Sequence, residues 1–565
     1  MSRRGPGQAD KRPSDDRGIA PFGMTRREAW LSAAGLFLLA LVVRAAAAAA
    51  IPFPVPEDTA YYVAVARNLV EGRGLVSDAL WSYQTLPLAV PRAAFEVWLP
   101  LPTFLAALPM LLFGATFRAA QVAAVAVGAL VPVLAWRLAA DVTEERRLPP
   151  GRARTLALGT GLVACAYGPL VVHGALPDST MPFAALALAA CLLMARILHD
   201  PGSARIGDPR LVALGALLGI AALARNEAVW VALTWAGLAW LGAGPLDRRA
   251  RARLIAVPAV ISIAIYLPWL VRDWLAFGSP LPGQALANAL SVSGFDIFAW
   301  QDRPTLARYV AQGLGGLIGA RIDGFEHNLV DVLLVPAIPA GPLGLVALPW
   351  QGRGAALRPL LLFSLITFTA TTLLFPVATQ WGTFLHAAGP VQVLLLIASL
   401  LVLDVLLARV ARQRAWTRPV AWLGPLLVAA TAIPILAISV ASIAGVARDA
   451  QVRYVALGDR LTARGLPPSR AAPIVADHPI WVTWSLRVPT LGLPDEPPAS
   501  VLDLARHFDA HVLVVSGTHG VWPAILATGG PRAACFVPLD LADGAGGSPT
   551  GPLADTHAYR IACPP

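Results

Sequence analysis

Charged side chains are scarce in this sequence. Asp, Glu, Lys and Arg occupy 14% of its 565 positions, whereas a soluble domain carries about 25%. Lysine is all but missing, since every basic residue except Lys11 is Arg. There are only four cysteines, and no two are spaced as CxxC. The chain also has no Gly-rich phosphate loop of the P-loop or dinucleotide type, no HExxH and no GxSxG. Nucleotide hydrolysis, dinucleotide redox chemistry, zinc proteolysis and serine hydrolysis therefore lack the residues they need. No 20-to-50-residue repeat is visible, which argues against a solenoid.

What fills the chain is apolar. Hydrophobic residues make up 56%, and runs close to the length of about 20 residues that spans a bilayer recur at 29–50, 119–140, 155–173, 254–271, 359–376, 390–407 and 420–446. The expected fold is mostly α: a polytopic transmembrane helical bundle of about 11–13 spans, with a small C-terminal α/β domain outside the membrane. The net charge of +10 does not indicate a nucleic-acid partner, because the arginines cluster in short loops such as "EERRLPPGRAR", "DRRARAR" and "ARVARQRAWTR". That is the positive-inside pattern of a chain whose partner is the lipid bilayer. The N-terminal "MTRREAWLSAAGLFLLALVVRAAAAAA" resembles a cleavable signal, but Arg44 interrupts its tail and many spans follow. It reads as a retained first helix.

With loops 141–154, 199–210, 245–253, 351–358 and 408–418 placed in the cytoplasm, three regions result. Residues 1–28 form a polar cytoplasmic tail, 29–446 a transmembrane domain with outer loops 51–98 and 272–328, and 447–565 an extracytoplasmic α/β domain. The outer face also receives "ALPD" at 175–178, "RNE" at 225–227 and "QWGTFLHAAG" at 380–389, and the acids and tryptophans concentrate there. The run 211–244 divides at Arg225–Glu227 into two short helices, since charges inside a membrane segment are retained for a site or a pathway. Parity makes the proline-rich segment 99–117 a re-entrant or surface-lying element. In the C-terminal region "APIVAD", "HVLVVS", "CFVPLDL" and "HAYRIAC" read as strands and "SVLDLARHFDA" as a helix. Pairing the last two strands brings Cys535 near Cys563, a disulfide candidate in an oxidising compartment, while Cys165 and Cys191 read as packing residues.

The stretch "PEDTAYYVAVARNLVEGRGL" follows the first span and opens on two carboxylates, Glu57 and Asp58. The spacing of Tyr62, Val65, Ala66 and Leu69 predicts an amphipathic helix on the outer membrane surface, with Asp58 at its head. Asp58 and Asp178 each have a bland role as helix caps. Capping does not explain why both gather on one face with Glu57, Glu96, Arg225 and Glu227. His386, in "GTFLHAAGP", reads first as a satisfied polar residue on that same face. Carboxylates beside arginines suit transfer from a lipid-linked phosphate, the carboxylate taking the acceptor's proton and Arg neutralising the departing phosphate.

Four stretches, "EDTAYYVAVARNLVEGRGL", "GALPDSTMPFAALALAACLL", "LGALLGIAALARNEAVWV" and "LPWLVRDWLAFGSPLPG", together resemble the C-type membrane glycosyltransferases, in particular bacterial relatives of protein mannosyltransferases and of the lipid A aminoarabinose transferase. The resemblance covers roughly residues 25–285. It implies an inverting enzyme of the bacterial cytoplasmic membrane that moves a sugar from a polyprenyl-phosphate donor to a glycan, lipid or protein acceptor on the outer face. It makes Asp58, three residues before Tyr61, the general base and Asp178 the second-loop acid. It assigns substrate contacts to Arg225, Arg272 and Glu96, with Glu227 and His386 beside them. Members of the family often carry Asp-Glu where this chain has Glu57, Asp58 and Thr59, so both carboxylates stay candidates for the base. Asp273 stands where Asn is common. Some members bind a divalent metal near these acids, but nothing in the sequence fixes such a site. The rival readings are a transporter or flippase, which inverted repeats would favour and none is seen, and a non-catalytic envelope assembly protein.

Overall fold

The computed structural model describes residues 24–542 and 551–563, apart from 201–206, 243, 245, 283 and 419. Most of the tail 1–28, part of the loop 199–210 and most of the Gly-rich loop before the last strand lie outside the described residues. Among the described residues, six helices are long and apolar enough to cross a membrane: Arg26–Ala50, Phe117–Glu145, Thr180–His199, Arg248–Phe277, Gly389–Gln413 and Leu423–Ala463. Two bent pairs reach that length together, Pro150–Cys165 with Gly168–Gly174 at 53° and Gly313–Ala337 with Ala340–Gln351 at 113°. Shorter apolar helices occupy Leu101–Phe113, Pro209–Ala224, Ala228–Leu241 and Arg358–Leu374. The protein is a helical membrane bundle.

Local chemistry sets the ends and breaks of these helices. Thr25 and Glu28 form a reciprocal capping box that starts the first span. Asp247 caps Arg248–Phe277, which stops at Gly278 in the left-handed conformation. The apolar run 211–244 breaks where Arg225 turns extended, at φ −156° and ψ 147°, so that two short helices meet at the charged triplet. The run 155–173 breaks ahead of Pro169, whose ring cannot continue the hydrogen-bond ladder.

The part of the chain beyond the bundle is built on sheets. β1 (Val76–Ser77) pairs antiparallel with β3 (Arg92–Ala93) in a small ribbon of the first outer loop. Between them, β2 (Ala79–Leu80) joins a six-stranded sheet with β4 (Ile474–Ala476), β5 (Thr490–Gly492), β6 (Val512–Ser516), β7 (Phe536–Leu539) and β8 (Thr556–Ile561), in the order β2-β5-β4-β6-β8-β7. The first four run parallel, and β8 and β7 add antiparallel. β6 is buried at all five positions, as a central strand with neighbours on both edges and an apolar run Val512–Val515 requires. Cys535 and Cys563 are joined by a disulfide across the β7–β8 edge. The helix Leu423–Ala463 is about 60 Å long, twice the thickness of a hydrocarbon core, and its outer half buries Tyr454, Leu457 and Leu461 in the core it shares with the sheet.

One expectation is corrected. The helix Glu57–Val70 does not lie amphipathically on a membrane surface: every residue from Thr59 to Asn68 is buried. Its apparently solvated face is covered by the helix Leu101–Phe113, by the ribbon and by the C-terminal helix Pro479–Leu486. Ala60, Ala64 and Ala66 are small enough to let those elements pack closely.

Candidate active site

Between the sheet and the end of the bundle that it covers lies a cavity of about 890 Å³. Glu57, Asp58, Glu96, Arg225, Glu227 and His386 all line it. Arg272 and Asp178 do not. Arg272 turns to Asp273, at 2.9 Å, and lies over the rings of Trp269 and Phe277. Asp178 sits one layer behind the wall.

Asp58 is not a cap. The helix is preceded by Pro56 as its N-cap with no side-chain capping bond, and Asp58 is its second residue. Its Oδ2 instead stands 3.2 Å from His386 Nε2, with the carboxylate 23% exposed and hence open to the cavity. His386 is turned by a 2.6 Å hydrogen bond between its Nδ1 and Thr180 Oγ1. Gly382, at φ 106°, lets the chain curl over that ring, and a Cβ there would press on it at 3.1 Å. Asp178 does cap in part, accepting from Thr180 N at 2.8 Å, and its other oxygen lies 2.8 Å from His173 Nδ1. The His173 and His386 rings meet edge to face at 5.7 Å. Thus Asp178, His173, Thr180, His386 and Asp58 form one chain of contacts leading to the cavity.

Arg225 ties three outer turns together. Its Nε and Nη2 donate to Glu227 at 2.9 and 2.7 Å, Nη1 donates to Ser179 Oγ at 2.8 Å, and Nη2 reaches Thr383 O at 3.4 Å. Glu57 faces the sheet domain, 3.6 Å from His478 Nδ1. Burial pushes the Glu57 carboxyl above the usual carboxylate range, with His478 opposing. Burial would depress His478, but the Glu57 carboxylate outweighs it and the imidazole is raised. Glu96 follows Phe95, held at φ 76° while its N–H donates to Tyr61 Oη at 2.7 Å. Its carboxylate lies 3.6 Å from Arg92, and burial pushes its pKa up.

Sequence reasoning missed His173, Thr180, Asp477, His478 and Trp381. His173 stands five residues before Asp178, close enough for the short turn between Gly168–Gly174 and Thr180–His199 to bring the two together, and it carried the one readable signal. His478 and Asp477 reach the cavity only through the packing of the C-terminal domain.

His173, Asp178 and His386 each offer a ligand atom, and these atoms lie within 4.8 Å of one another. Two imidazoles and a carboxylate are a donor set that suits zinc or a similar divalent ion.

The cavity lies between a bundle of broken helices and a sheet domain, an arrangement shared in fold with solved structures of membrane glycosyltransferases. No protein-family model matches the chain, and no curated protein matches it either. Among solved structures it is similar to ArnT from Cupriavidus metallidurans bound to undecaprenyl phosphate, at 15% identity and TM-score 0.53, over 94% of this chain and 99% of that one. It is similar also to the Archaeoglobus fulgidus oligosaccharyltransferase, both in complex with Zn and sulfate (14%, TM-score 0.51, 93% and 73% covered) and tethered to an acceptor peptide (14%, TM-score 0.53, 87% and 69% covered).

Proposed function

We propose that this protein is an inverting glycosyltransferase that moves a sugar from a polyprenyl-phosphate donor to an acceptor on the outer face of the bacterial cytoplasmic membrane. The observation that carries this reading is Asp58, a carboxylate free of any capping role and open to a cavity that also holds Arg225. ArnT was solved with undecaprenyl phosphate, and the shared fold supports the same donor class here.

The residues divide the work as follows. Asp58 accepts the proton of the acceptor hydroxyl or amine as that atom bonds to the anomeric carbon. The bond between the anomeric carbon and the phosphate oxygen breaks on the opposite face, its electron pair leaves on the polyprenyl phosphate, and the configuration inverts. Arg225 meets the growing phosphate charge, exchanging part of its contact with Glu227 for the leaving oxygen. His386, fixed by Thr180, holds the Asp58 carboxylate in place. Arg272 adds positive charge from outside the cavity wall. Glu57 is the second carboxylate at the site, and its partner His478 makes it the less available base. A divalent ion on His173, Asp178 and His386 would supply positive charge behind Asp58.

The test is transfer of radiolabelled sugar in membranes expressing the protein, given a panel of polyprenyl-phosphate sugars. Label reaching an acceptor with wild type and not with Asp58→Asn supports the reading. Absence of transfer from every donor, with the protein folded and present, refutes it.

A further inference from the structure

Trp381 is the feature of the cavity that the mechanism above leaves unused. It lines the wall and is 50% exposed. It is not loose. Phe298 packs its edge against the indole at 5.9 Å and 67°, and Gly294 lies so close that a Cβ there would collide with Trp381 Nε1. Trp381 also begins the short segment that, through Gly382, carries His386 to Asp58. The same cavity is lined by Asn226, Asn288, Ser291 and Ser293, side chains that both donate and accept hydrogen bonds. An exposed indole held in place in a cavity that carboxylates and neutral hydrogen-bonding groups also line matches a ligand with one C–H face and a rim of hydroxyls.

We infer that the acceptor of this enzyme is a glycan, whose terminal sugar ring stacks on Trp381 and presents a hydroxyl to Asp58. The inference rests on the glycosyl-transfer reading and adds the acceptor class to it. The cavity does not offer a sheet edge, to which one class of extended peptides adds as a further strand. The edge strands here are β2 and β7, and no residue of either lines the cavity.

The experiment uses the full chain in lipid nanodiscs, the labelled polyprenyl-phosphate sugar that wild type accepts, and a pronase-treated polysaccharide fraction of the cell envelope titrated as acceptor. Trp381→Ala raises the acceptor KM about tenfold or more, with kcat and donor KM within about twofold. Trp381→Phe, which keeps an aromatic face, recovers most of that loss. Gly294→Ala displaces the indole and raises the acceptor KM in the same direction, with a thermal melt confirming that it folds. Label recovered only in protease-sensitive peptide, an acceptor KM unmoved by Trp381→Ala, or an equal change in donor KM overturns the glycan assignment while leaving glycosyl transfer intact. No transfer by wild type from any donor overturns the reading on which it stands.

Discussion

Replacing Asp58 with Asn separates catalysis from capping more cleanly than any other change. Asn is isosteric and as good a helix cap as Asp, so a structural Asp58 predicts wild-type behaviour in both stability and transfer. In the structure the carboxylate makes no capping bond and faces His386 at 3.2 Å. An Asn carbonyl keeps a contact with that imidazole, so the fold and the donor KM should be preserved. What disappears is the proton acceptor. A positioned general base contributes about 10²- to 10⁴-fold, or about 3–5 kcal/mol of barrier, and kcat should fall by that factor. Initial rates with saturating donor measure it, with Glu57→Gln run beside it as the second carboxylate. A kcat for Asp58→Asn within about threefold of wild type, together with a collapse in Glu57→Gln, refutes the assignment and moves the base to Glu57.

Arg225→Gln leaves Glu227 buried without its bidentate partner and should cost about 3–5 kcal/mol of stability. The double variant Arg225→Gln/Glu227→Gln should regain most of the melting temperature without regaining transfer, which a melt and an activity assay separate. Removing the Cys535–Cys563 bond, which spans 28 residues, should lower the stability of the outer domain by about 3–4 kcal/mol on loop-closure entropy. Urea unfolding of Cys535→Ser/Cys563→Ser measures the loss, and alkylation without reductant should leave both wild-type thiols unlabelled. Both Glu57 and His478 bind their protons more tightly when folded. Their stabilisation is therefore full at low pH; the Glu57 share is lost as pH rises from its unfolded value of 4.5 through its raised pKa, and the His478 share as pH rises from 6.5 through its own. His478→Gln should flatten the upper window in a melt-versus-pH series; an unchanged slope refutes the pairing.

Much of the architecture was legible because membrane insertion imposes a strong pattern. Apolar runs, arginine-rich loops and the break at Arg225 are one-dimensional consequences of the bilayer, and the short apolar runs of the C-terminal region read as strands. The helix Glu57–Val70 was misread for a physical reason: period shows which face of a helix is apolar, but not whether a distant domain covers the other face. The same limit hid His478 and Asp477, which come more than 400 residues after Asp58 and meet the cavity only through tertiary packing. Arg272 was placed by motif alone, and its side chain is held by Asp273 outside the cavity wall.

The pairing of β2 with β5 has a consequence for how the protein comes into being. Ala79 and Leu80, in the loop that carries the two leading carboxylates, take their places beside Thr490 and Leu491, and Tyr83 Oη donates to Gly492 O at 2.6 Å. That loop emerges early in synthesis, yet the strand that fixes it arrives only after every helix of the bundle has been made. Until then its backbone edge is unpaired and the cavity lacks its roof. A partly synthesised or truncated chain can thus be inserted in the membrane and still lack the assembled cavity, which closes only with the completed molecule.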